Sequence, residues 1–337
     1  MGVEYNATIL SHPIVHRIGM TSSPSALAWR ALLVMGLVNI IWGAAFPITK
    51  PALLDMPPIT FAFVRFVIAI VCLIPFAPRA TWELLSGPSR RQFIMMGIIG
   101  FTITQITQVW SLVLSPAIHI ALLSTTTPIW VSVMAAIWLN EPFTRRMQIG
   151  TLIAMIGILI VLDIQLEVST QWQSWVGYAI YLISALGWAA YNVMGRTVMQ
   201  QHDALPSTTA AAIVGVIVLL PFAIGEYLNG QITQFTVASI TGVVYTGIGV
   251  TVIGYVALFW ALRHVAPSQV AAMMYIQPIA GTLVAWLWLN EQPGLNFFVG
   301  ALLTFVGVGL VNSQPALRTH APRNGAVGDI GNVAKGE

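Results

Sequence analysis

A single cysteine, Cys72, excludes an intrachain disulfide and any metal site built on cysteines. Charge is equally scarce: Asp, Glu, Lys and Arg make up 7% of the 337 residues against 57% hydrophobic ones. A soluble domain carries about a quarter charged residues, so this chain belongs in a lipid environment. The net charge of +3 is too small to build a nucleic-acid surface, and no nucleic-acid partner is expected. No Asp or Glu falls in the middle of an apolar run, which removes the intramembrane carboxylate a proton/cation exchanger would use. Paired catalytic carboxylates, a His-Glu zinc motif and an activated Ser or Cys arrangement are also missing from the pattern. Neither an enzyme nor a bound cofactor or metal is expected.

What is present is a series of apolar runs, each near the roughly 20 residues that a bilayer core requires. They cover 31–48, 58–77, 92–113, 117–139, 147–162, 174–195, 207–225, 236–260, 267–289 and 295–312. The expectation is an all-α polytopic membrane protein with ten transmembrane helices. Residues 1–30 form a mixed, polar N-terminal segment, and 313–337 a tail rich in Pro, Gly and Asn without an apolar face, expected to be disordered. The first run is long enough to span rather than serve as a signal h-region, so no cleavage is expected. Asn6 stands where a myristoylation signal needs Ser or Thr, and lipidation is not expected either.

The chain also repeats itself. Pro128, Trp138, Asn140, Glu141, Gly150 and Gly157 recur as Pro278, Trp288, Asn290, Glu291, Gly300 and Gly307, each displaced by 150 residues. Earlier in the chain the offset is 146, matching Trp42-Gly43-Ala44 to Trp188-Ala189-Ala190 and Leu73-Ile74-Pro75 to Leu219-Leu220-Pro221. Residues 31–162 and 174–312 therefore read as two copies of a five-helix unit.

Orientation follows from the loops, because Lys and Arg near helix ends stay cytoplasmic. Arg79, Arg90, Arg91, Arg145, Arg146, Arg196 and Arg263 fall on one side and only Lys50 on the other, which places both termini in the cytoplasm. Five helices per copy bring the second copy into the membrane from the opposite face, giving inverted repeats. The turns agree: Arg145-Arg146 follow Asn140-Glu141, whereas the twin turn Asn290-Glu291 has no arginines after it.

Pro128 and Pro278 fall mid-run at matching positions, where each removes a backbone donor from the carbonyl four residues earlier, Ser124 or Met274. Such paired helix breaks point to a transport site; a packing kink inherited by both copies is the alternative reading. Polar side chains cluster around them. Phe101, Gln105 and Gln108 share a face of the third run, with His119 and Thr126 on the fourth. Gln269, Met273 and Gln277 share a face of the ninth beside Tyr275, and Tyr255 lies in the eighth. These groups are expected either to line a wet cavity or to hydrogen-bond between helices. His119 alone among them titrates near neutral pH.

Trp42 and Trp188 are repeat mates near the inner portions of the first and sixth runs, with Tyr191 and Asn192 beside the latter. They fit a substrate platform or gate, or an interfacial anchor. Arg65 is the one charge well inside a run, a candidate anion contact unless it snorkels to the surface. Gly150, Ala154 and Gly157, echoed by Gly300, Thr304 and Gly307, form close-packing faces on the fifth and tenth runs, against each other or a second subunit.

Two five-helix copies, each with a tryptophan in its first helix, a proline-split fourth helix and an Asn-Glu turn before a glycine-striped fifth, resemble the EamA type of the drug/metabolite transporter (DMT) superfamily. The resemblance covers about residues 31 to 312. It implies a ten-helix basket with a central cavity and efflux of small metabolites, such as amino acids, by alternating access from the bacterial cytoplasmic (inner) membrane. That cavity would include Trp42, Gln105, Thr126, Trp188, Asn192, Tyr255 and Gln277. The substrates expected are neutral or zwitterionic; proton coupling and a monomer or weak homodimer are the companion expectations. A passive channel or facilitator for small polar solutes is the alternative, with an intramembrane enzyme as the remote third reading.

Overall fold

The computed structural model describes residues 24–115, 120, 123–124, 126–161, 172–231, 233–289 and 295–312, and every regular element among them is helical. In hydrocarbon each backbone N–H and C=O needs an internal partner, which a helix supplies within one segment. Helix α1 covers Pro24–Asp55 and α2 Pro58–Leu73, followed by the short, exposed α3, Pro78–Ser86. Helix α4, Arg90–Met96, runs through a π-helical stretch, Gly97–Ile103, into α5, Thr104–Leu114. Then come α6, Thr127–Leu139, and α7, Arg145–Val161.

The second half opens with α8, Trp172–Val198, and α9, Ala204–Leu228. Helix α10, Val237–Val244, passes through a π stretch, Tyr245–Ile253, into α11, Gly254–His264. Helix α12, Pro267–Ala272, a 3₁₀ turn at Met273–Tyr275 and α13, Ile276–Leu289, form the broken segment before α14, Leu295–Asn312. Six helical runs among the described residues are long and apolar enough to cross a membrane, and Thr127–Leu139 and Phe298–Asn312 are shorter apolar helices. Large side chains such as Leu37, Ile217 and Leu302 are exposed mid-helix, where lipid rather than water is their favourable neighbour. The protein is an all-α polytopic membrane protein.

Local chemistry sets the helix ends. Asn140 takes a left-handed conformation, φ 52°, at the C-terminus of α6, a conformation that Asn tolerates better than most residues. Thr236 and Ser239 form a capping box at the start of α10, and the Thr236 hydroxyl also donates to Asp55 at 2.5 Å. Pro58 sits in the first turn of α2, where its missing N–H costs nothing. The next two amides of that turn, Ile59 and Thr60, donate to the Glu226 carboxylate of α9 at 2.9 and 2.7 Å.

Packing follows the repeat. Helix α1 lies against α10, α11 and α13, and its counterpart α8 lies against α5 and α6; α2 pairs with its own counterpart α9, and α7 with α14. In the last pair a Cβ on Gly150 would come within 2.8 Å of Gly307 O, and one on Gly157 within 2.6 Å of Gly300 O. The glycine faces therefore pack on each other within the chain, the first of the two expected arrangements. The π stretches also coincide, since Gly97–Ile103 and Gly247–Ile253 match at the 150-residue offset. Threonine hydroxyls close carbonyls in the widened turns: Thr104 to Ile99 O at 2.7 Å and Thr251 to Thr246 O at 2.9 Å, each five residues back.

Candidate functional site

The helices enclose a cavity of about 610 Å³ on the line where the two halves cross. Repeat mates meet at its base. The Trp42 and Trp188 rings lie edge to face, 5.5 Å between centroids, and Gln105 Nε2 donates to Tyr255 OH at 3.3 Å. Tyr255 is the residue at the position of Gln105 in the second copy, so this glutamine has a tyrosine mate, and the two touch. Both tryptophans line the cavity.

Trp42 is held by its indole N–H, which donates to Val250 O at 3.0 Å in the second π stretch. Gly254 makes room for that ring: a Cβ there would overlap Trp42 Nε1. Beneath the base lies an aromatic layer. Phe101 and Tyr191 are fully buried, 5.0 and 5.8 Å from the Tyr255 ring, and Tyr191 stacks on Phe259 at 5.2 Å. Phe101 therefore does not share the cavity face of Gln105 and Gln108 as the helical spacing predicts, because the π turn between them changes the register.

Of the other sequence candidates, Gln108, Gln277 and Arg65 line the cavity. Gln277 Nε2 donates to Asn39 Oδ1 at 2.7 Å. Arg65 is 9% exposed, so it is buried rather than snorkelling; its Cζ lies 4.5 Å from the Phe66 ring centre and its guanidinium reaches the Tyr255 hydroxyl. Thr126 does not line the cavity: it sits in the turn before α6 with its hydroxyl on Leu123 O, and Thr127 takes the lining position. Asn192 is buried with its amide on Trp188 O, and Tyr275 is buried outside the cavity wall. Gln269 serves as a local cap, accepting from Ala266 N at 3.4 Å. His119 and the Asn290-Glu291 turn lie outside the described residues.

Pro128 and Pro278 both stand in the first turn of the helical piece that follows a break, the turn at Thr126 and the 3₁₀ turn at 273–275. They start helices rather than kink continuous ones, and Met274 at the second break faces the cavity. Tyr181, Ser184 and Ala185 join Trp188 on the wall and escaped the sequence reading, although their spacing along one helical run marks a single face.

Among the described residues the cavity extends towards the end away from the arginines. Its lining reaches Leu54, which is 87% exposed, and Ser115 at the end of α5. The arginine-bearing end is tied together. Arg196 donates to Leu262 O, Arg263 pairs with Asp203 at 2.8 Å, and the Ser268 hydroxyl donates to Glu141 at 2.9 Å. Burial raises the Glu141 carboxyl above its ordinary value of 4.5, an effect the Ser268 hydrogen bond and the nearby Arg196 charge partly offset.

Two stretches, residues 7–163 and 175–313, each match the EamA-like transporter family. The chain belongs to that family. An uncharacterized transporter of Archaeoglobus fulgidus is 24% identical, covering 84% of this chain and 97% of its own length. A protein of Escherichia coli named as a probable amino-acid metabolite efflux pump is 25% identical over 81% of this chain and 91% of its own. A probable terminal-alkyne amino-acid exporter of Streptantibioticus cattleyicolor is 25% identical over 85% and 94%. One crystal structure superposes with a TM-score of 0.70 over 84% of this chain and 96% of that one; at 17% identity it shows a common fold. For an EamA-like transporter, a cavity walled by both halves and closed at one end is the feature from which function can be argued.

Proposed function

We propose that this protein exports small metabolites, amino acids and related neutral or zwitterionic compounds, across the bacterial cytoplasmic membrane by alternating access. One observation carries the reading: a cavity of about 610 Å³ opens at one end while the arginine-bearing end is held shut. Small-molecule sites occupy about 300–1,000 Å³, so the space suits a compound of amino-acid size with some water. With the arginine-rich loops in the cytoplasm, the open end faces outward, as expected of an exporter about to release or return. The names of the Escherichia coli and Streptantibioticus relatives agree with this substrate class.

The chemistry asked of the protein is binding and exchange of access. Gln105, Gln108 and Gln277 offer neutral hydrogen bonds, and Trp42 and Trp188 offer apolar faces that also accept a cation. A monomer or weak homodimer with optional proton coupling completes the proposal. Counterflow of a labelled amino acid into proteoliposomes tests it. Saturable exchange is expected, together with its loss in a Gln105→Ala, Trp188→Ala, Gln277→Ala variant. Flux that does not saturate and shows no counterflow indicates a passive channel.

A further inference from the structure

Resting on the reading of this cavity as the substrate site, we infer that it selects carboxylates with an apolar body, held by Arg65 and Trp188, and that an α-ammonium group is dispensable. Arg65 lines the cavity wall while nine-tenths buried, and its Nε–H has no hydrogen-bond partner. The Trp188 indole N–H is likewise buried and unpartnered. Both residues line the cavity and adjoin Tyr255, one through its hydroxyl and the other through its ring at 5.4 Å, so they border the same stretch of the wall.

No acidic side chain neutralises Arg65 among the described residues. Glu226 is committed to Ile59 and Thr60, and Asp203 to Arg263. A buried cation is costly unless an anion and hydrogen bonds compensate it, and the planar guanidinium fits a carboxylate in particular. One cation between apolar walls is a poor match for a dianion such as a phosphate monoester, whose second charge would stay uncompensated.

The remaining wall is largely apolar, with Phe61, Val109, Leu112 and Val250 beside Trp42. Among the described lining residues there is no Asp or Glu. A substrate ammonium therefore meets only neutral acceptors and aromatic faces, in the field of a fixed positive charge. The cation is also one-sided: its repeat position, at the 146-residue offset, is Ala211. A ligand with one charged end and one apolar end fits that asymmetry.

The test uses the purified full chain in detergent and four probes of one size: 3-phenylpropionate, L-phenylalanine, 2-phenylethylamine and 2-phenylethanol. Binding is read by thermal shift and tryptophan fluorescence at constant chloride. The two carboxylates are expected to bind, with 3-phenylpropionate at least as tight as phenylalanine, and the amine and alcohol at least tenfold weaker. Arg65→Gln should weaken both carboxylates at least tenfold, about 1.4 kcal/mol, and Arg65→Lys should recover part of the loss. Trp188→Phe, which keeps an aromatic ring of smaller size and removes the N–H, should weaken them severalfold.

Amine and acid binding equally, no probe binding to the wild type, or Arg65→Gln binding 3-phenylpropionate as wild type would each overturn the inference. If Arg65→Gln does not fold, the wild-type ranking and Trp188→Phe decide. Counterflow separates this from the broader proposal: exchange of amines but not carboxylates refutes the carboxylate site and leaves transport standing. Carboxylate binding without any exchange does the reverse.

Discussion

Gln105 and Tyr255, equivalent residues of the two repeats, are hydrogen-bonded to each other at 3.3 Å in the middle of the molecule. Equivalent residues touch only near a local twofold axis, so the axis runs through the base of the cavity, with Trp42 and Trp188 meeting beside it at 5.5 Å. Substituting Tyr255→Phe removes the acceptor and leaves the Gln105 amide buried without it. A loss of about 1–3 kcal/mol is expected, with a fall in counterflow. In a double-mutant cycle with Gln105→Leu, thermal unfolding should show the second change costing less than it does alone; strict additivity would mean the contact contributes nothing.

Gly254→Ala places a methyl group 2.3 Å from Trp42 Nε1. The indole must move and surrender its bond to Val250 O. Overpacking of this kind costs about 1–3 kcal/mol, and a shift in tryptophan emission should accompany it. An unchanged spectrum and melting temperature would show that the ring has other room.

Glu226→Gln replaces a carboxylate that accepts from two successive amides at the start of α2 with a group that has a single acceptor oxygen. The lost cap and the lost charge at the helix N-terminus together are expected to cost about 1–2 kcal/mol of thermal stability. Glu226→Asp, too short to reach both amides, should recover little of it.

The Glu141 carboxyl, raised by burial, gives the arginine-bearing end a pH dependence. A carboxyl whose pKa is higher in the folded state holds its proton more tightly there. Its contribution to stability is present at and below the ordinary value of 4.5 and is lost as pH rises through the raised value. Acidification from neutral pH should therefore stabilise the wild type relative to Glu141→Gln within that window. Parallel pH profiles of the two melting temperatures would rule the effect out.

Much of this architecture is visible in the residues before any coordinates, since periodic apolar runs and an offset of 150 demand two similar halves. Asn140 announces its left-handed turn, and the glycines of α7 and α14 announce a close approach. The Tyr181, Ser184 and Trp188 face was also readable. The π stretches were not: no residue type specifies a π turn, and one extra residue in the turn was enough to carry Phe101 off the face of Gln105. The same limit separates Thr126 from Thr127, because a break resets which neighbour faces inward. Glu226 capping a helix more than 160 residues away is a tertiary pairing that local pattern does not encode.

Gly150 rests on Gly307 as Gly157 rests on Gly300, and exchanging the two halves turns one of these contacts into the other. A surface with that property recognises a copy of itself, as the subunits of a dimer do. The peptide linking the halves then matters for stoichiometry more than for recognition. Two polypeptides made separately, one ending near residue 163 and the other starting near 175, should find each other in the membrane and co-purify.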